Sequence, residues 1–100
     1  MSDDYQIEIP QSFMALYTDA GRGKPNAQRS VVAGRYELCE DMANMLAGPA
    51  RDTLFELGIA ESDVLQRCLL GLHADGAVFS PDESQWVVRR LAELLDWPRL

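Results

Sequence analysis

One hundred residues, 47% hydrophobic and 25% charged, suit one modest globular core and exclude a disordered chain. The net charge of −7, with a pI of about 4.5, opposes the phosphate contacts on which nucleic-acid affinity rests. No run of about eighteen apolar residues marks a membrane span. The acidic start Met1-Ser2-Asp3-Asp4 lacks the features of a signal peptide, so the chain is expected in the cytoplasm.

Tyr5-Gln6-Ile7-Glu8-Ile9-Pro10 alternates apolar and polar residues and predicts a short strand or extended arm that Pro10 stops. Gln11 to Tyr17 predicts a helical turn or two, with Phe13, Leu16 and Tyr17 near one face. Thr18 to Asn26, punctuated by Gly21, Gly23 and Pro25, reads as a linker. Residues 1–26 are therefore expected to be arm and linker, and residues 27–100 a helical domain.

A long helix is predicted from about Ala27. Val32, Tyr36, Cys39, Ala43, Leu46, Ala50, Leu54 and Leu57 fall at spacings of three and four on one stripe. The stripe keeps its phase through Gly48-Pro49. A true loop would have no reason to preserve that phase, so a continuous helix kinked at Pro49 is expected. Val31, Leu38, Met42 and Met45 widen the stripe on one side, and Phe55 lies roughly opposite it. Such a broad apolar surface needs a second neighbour, either the N-terminal arm or a second copy of the chain.

Gly58 ends this helix as a left-handed cap. A helix from about Glu61 to His73 follows, with Val64, Leu65, Cys68, Leu69 and Leu72 on one face and Leu70 off it. Asp75-Gly76 marks a turn. Ser80-Pro81-Asp82-Glu83 then reads as a capping box with proline at the first helical position. The last helix runs to about Asp96 and turns Val87, Val88, Leu91, Leu94 and Leu95 inward. The expected fold is all-α: a long helix packed with a C-terminal helical hairpin, preceded by a short extended arm.

Sites of chemistry are hard to find in this chain. Gly21-Arg22-Gly23-Lys24-Pro25 lacks the first glycine and the hydroxyl residue of a phosphate-binding loop. The turn around Gly76 lacks the oxygen ligands of a calcium loop. Cys39 and Cys68 each fall alone on an apolar helix face and read as buried thiols, and His73 fits a helix end. Neither a cofactor, a metal nor an enzymatic activity is expected.

Trp86 falls nearly opposite the core stripe of the last helix, among Arg89, Arg90 and Glu93, and Trp97 returns to that side eleven residues on. Tryptophan and arginine are enriched at interface hot spots, so these five residues form a candidate protein-interaction face. Alternatively, the arm or the long helix covers Trp86 within the monomer. A third reading makes the last helix a DNA-recognition helix, with Arg89 and Arg90 toward the duplex. Asp82 and Glu83 in its first turn carry the wrong sign for that role.

Arg35-Tyr36-Glu37-Leu38-Cys39-Glu40-Asp41, Leu57 to Leu65 and Trp86 to Leu94, with the Ile9-Pro10-Gln11-Ser12-Phe13 start, resemble a family of short bacterial proteins. Its members are sometimes labelled "ATPase with chaperone activity". The resemblance covers nearly the whole chain and supplies no catalytic residue to carry over. It implies at most an association with a ring-forming chaperone ATPase.

The function expected is a non-enzymatic protein-interaction module, an adaptor or regulatory subunit associated with a chaperone ATPase. Its surface would be the Trp86/Arg90 face, the long helix, or both, with Val31, Leu38, Met42 and Met45 as the face for a homodimer. The alternative is a small dimeric DNA-binding regulator or antitoxin.

Overall fold

The computed structural model describes residues 8–18, 26–74 and 78–100, and these are helical throughout their regular parts. The expected strand or extended arm at 5–10 therefore lies partly outside the described residues, and residues 8–10 carry no regular structure. Most of the 18–26 linker and the Asp75-Gly76 turn also lie outside them. In chain order the helices are α1 (Gln11–Met14), a 3-10 turn (Ala15–Tyr17), α2 (Arg29–Leu57), α3 (Glu61–Ala74) and α4 (Pro81–Leu95). The chain divides into two compact units, Met1–Leu38 and Cys39–Leu100, and the division falls inside α2.

In the first unit, Pro10 opens α1, and its carbonyl accepts from the amides of Phe13 and Met14, both at 3.0 Å. Proline suits this place because a first-turn amide has no helical acceptor to lose. Phe13 is wholly buried, with its ring 5.7 Å from Tyr17 and edge-on to Tyr36 at 5.6 Å. Aromatic pairs in that range add about 0.5–1.5 kcal/mol beyond burial. The Thr18 hydroxyl closes the 3-10 turn by donating to the Met14 carbonyl at 2.9 Å.

In the second unit, α2 runs unbroken through Pro49. Proline there removes one helical hydrogen bond at a cost of about 3 kcal/mol. The helix survives because Cys39, Ala43 and Ala50 are buried on its inner face, and Leu46, Ala47 and Leu54 pack partly against the same core. Gly58 ends the helix at φ 61°, its amide donating to the Leu54 carbonyl at 3.0 Å. Leu57, expected on the core stripe, is instead exposed. It is the last helical residue, where the chain already turns away.

The amides of Asp63 and Val64 open α3 by donating to the Ala60 carbonyl, and Glu61 and Asp63 complement the positive end of its dipole. At α4 the capping box is complete. Ser80 Oγ accepts from the Glu83 amide at 3.1 Å, and the Glu83 carboxylate accepts from the Ser80 amide at 2.9 Å. Ala50, Val64, Leu65, Val88, Leu91 and Ala92 then form the shared core of α2, α3 and α4. The fold is the all-α arrangement expected, a long helix packed with a C-terminal helical pair.

Candidate functional site

The tryptophan face of α4 does not exist as a surface. Trp86 is only 7% exposed, and Val87 beside it is fully buried. Helical spacing left open whether Trp86 meets a partner or is covered within the chain, and the side chain is covered. Trp97 is not on α4 at all. The helix ends at Leu95, and Asp96 takes a left-handed conformation at φ 58°. The Trp97 amide then reaches back to the Ala92 carbonyl at 2.8 Å, a Schellman closure that turns the indole partly against the core.

Arg90 is likewise committed. Its Nε donates to Glu40 Oε1 at 2.8 Å, Nη2 to Glu40 Oε2 at 3.0 Å, and Nη1 to Glu93 Oε1 at 3.1 Å. Asn44 Nδ2 adds a 3.2 Å bond to Glu40 Oε2. The Arg90 guanidinium holds the Glu40 carboxyl below its ordinary value, although partial burial acts the other way. Arg90 in turn is held more firmly protonated by Glu40. This is a planar two-pronged clamp between α2 and α4. Arg89 and Glu93 remain exposed, but the five expected residues form no common face.

On α2, by contrast, Val31, Leu38 and Met45 are 50%, 39% and 69% exposed. Met42 is half-buried and leads from this flank into a cavity of about 330 Å³. Leu46, Cys68, Gly71, Leu72, Val78 and Phe79 complete its lining. The cavity thus lies between α2, the second half of α3 and the segment entering α4, and none of the described residues that line it is charged. Burial pushes the Cys68 thiol up, so it favours its neutral form.

Sequence spacing identified Met42 and Met45 but not the cavity behind Met42. Its far wall depends on Val78 and Phe79, which belong to no helix. One local signal was available. Phe79 directly precedes the capping box, a position whose apolar side chain commonly packs inward. Phe79 is indeed buried.

Among the described residues, no group of histidine, cysteine and carboxylate side chains could hold a metal ion, and no helix is long and apolar enough to cross a membrane. Compared with protein-family models, with curated proteins and with solved structures, the chain matches none.

Proposed function

We propose that this protein is a non-enzymatic interaction module, an adaptor or regulatory subunit that docks another protein on the outward apolar flank of α2. The reading rests on Met45, a large apolar side chain 69% exposed on α2, and on the apolar cavity into which half-buried Met42 leads beside it. Single exposed apolar residues are ordinary, whereas one set beside an apolar cavity is the form of a docking surface. Burying the Met45 side chain would contribute about 1.5–3 kcal/mol. The strongest polar constellations serve the fold instead: Ser80 and Glu83 cap α4, and Glu40, Arg90 and Glu93 tie α2 to α4.

The family resemblance makes a chaperone ATPase the first partner to test. Immobilised protein should retain that ATPase from a native bacterial extract, and a Met45→Glu variant with unchanged circular dichroism and melting should lose it. Equal retention by both forms would refute docking on this flank.

A further inference from the structure

Charge decides what kind of chain could lie on this flank. At about 100° per residue, the inner stripe of Cys39, Ala43 and Ala50 lies on one side of Met42. Met45 lies on the other side, Asp41 and Asp52 form an exposed row beyond it, and exposed Glu56 follows further along the helix at an angle between Met45 and Met42. At a rise of 1.5 Å per residue, Asp41 and Asp52 stand about 16 Å apart along the helix. Gly48 occupies the same row between them, with no atom within 4 Å of where a Cβ would stand. A second helix could therefore approach closely at that point.

Charges on the other walls do not reverse this sign. On α3, Arg67, next in sequence to the cavity-lining Cys68, is exposed, but Asp63 precedes it by one helical turn. Asp82, at the start of α4, is also exposed. A second copy of the chain would bring two such acidic rows onto one interface, and each copy carries a net charge of −7. Like charge thus weighs against a homodimer on this face.

We infer that the partner segment is a basic, amphipathic helix. It lies along Met42 and Met45, its lysines or arginines face Asp41, Asp52 and Glu56, and one apolar side chain enters the cavity beside Met42. The inference rests on the proposed docking function and narrows it. Three properties of the site match such a ligand. A groove between helices accepts the apolar face of another helix. Methionine adapts its unbranched side chain to varied apolar partners. A volume of about 330 Å³ lies at the small end of ligand pockets, which span about 300–1,000 Å³, and suits a side-chain anchor.

The test uses the full chain and three synthetic peptides of about eighteen residues, near the length of an ordinary helix. One carries leucine and lysine at amphipathic spacing, one replaces lysine by glutamate, and one scrambles the basic sequence. Binding is read by fluorescence anisotropy, and site occupancy by the alkylation rate of Cys68, with fully buried Cys39 as the internal reference. Only the ordered basic peptide should bind, weaken as salt rises, and slow Cys68 alkylation several-fold. D41K/D52K should lower its affinity about ten-fold, the sum expected for two exposed ion pairs.

Equal binding of the acidic or scrambled peptide would overturn the basic-helix inference, as would binding that leaves Cys68 unprotected. Self-association that the basic peptide does not displace would overturn it in favour of a second copy. If no peptide binds while Met45→Glu still abolishes capture of the chaperone ATPase, the docking function stands and the basic helix falls.

Discussion

Glu40 and Arg90 lie fifty positions apart in the chain and meet through two parallel hydrogen bonds of 2.8 and 3.0 Å, which pin α2 to α4. Charge-assisted pairs of this geometry are stronger and more directional than ordinary surface ion pairs. The pair is partly open to water, with side-chain exposures of 33% for Arg90 and 22% for Glu40. Its net contribution should therefore be about 1 kcal/mol.

That pairing sets a pH dependence. The Glu40 carboxyl is held below its unfolded value of about 4.3, so its stabilisation is fully present above that pH. It is lost as pH falls through the lower folded value. Glu40→Gln should thus cost about 1 kcal/mol near neutrality and progressively less as the medium is acidified below the unfolded value. Urea midpoints of both proteins across that range measure it; a gap that widens toward acid would contradict the assignment.

Trp86 should behave as a core residue. Trp86→Ala removes a large side chain that is only 7% exposed, and such losses cost about 3–5 kcal/mol. The expected result is a protein that melts far lower, instead of a folded one that has merely lost a partner. Iodide should quench the fluorescence of Trp86 less than that of the half-buried Trp97. A stable, fully folded Trp86→Ala variant would return this side chain to the surface.

How much of this was legible depends on where each constraint resides. Helical periodicity is local, so the stripe of Val32, Cys39, Ala43 and Ala50 could be read from the sequence, as could the capping box at Ser80 and Glu83. The fate of Trp86 could not. Periodicity tells which side of α4 faces the first neighbour and says nothing of a second cover. Arg90 read as part of an interaction face, and its pairing with Glu40 could not be seen because it depends on how α2 packs against α4. The exposed flank of Val31, Leu38 and Met45 was half legible. Its spacing was plain, but two neighbours could have covered it.

Two helix ends make opposite predictions from one backbone feature. Gly58 and Asp96 both adopt φ near +60°, at 61° and 58°. That region costs a residue with a Cβ about 1–2 kcal/mol, less for aspartate, and glycine almost nothing. Gly58→Ala should therefore destabilise by about 1 kcal/mol. Asp96→Gly should stabilise by up to about 1 kcal/mol, although it adds freedom to the unfolded chain. Chemical denaturation of the two variants side by side checks both signs, and a loss at both sites would show that the Asp96 side chain matters more than its backbone.

Ser84 offers a gain from deletion. It is completely buried in α4, and its hydroxyl has no hydrogen-bond partner among the described residues. An unsatisfied buried hydroxyl costs about 1–3 kcal/mol. Ser84→Ala removes the polar atom with little change of volume and should leave stability unchanged or raise it by about 1 kcal/mol. A loss larger than that would mean the hydroxyl makes an interaction in solution.

Pro49 tests whether helix continuity has a cost that function retains. Its ring is exposed, and its missing N–H leaves the Met45 carbonyl without its usual helical donor. The Thr53 hydroxyl donates instead to the Pro49 carbonyl at 2.9 Å, one turn further on, and so does not repair that loss. Pro49→Ala restores the donor and should stabilise the protein by about 1–3 kcal/mol. The melting midpoint should then rise by about 4–8 °C per kcal/mol for a domain of this size. Met45 and Gly48, next to Pro49, belong to the proposed docking row, and proline commonly bends a helix locally. If Pro49→Ala melts higher but binds the proposed partner less well than the parent, Pro49 shapes the docking flank. If both properties improve together, the helix without Pro49 is the better binder and proline serves neither stability nor docking.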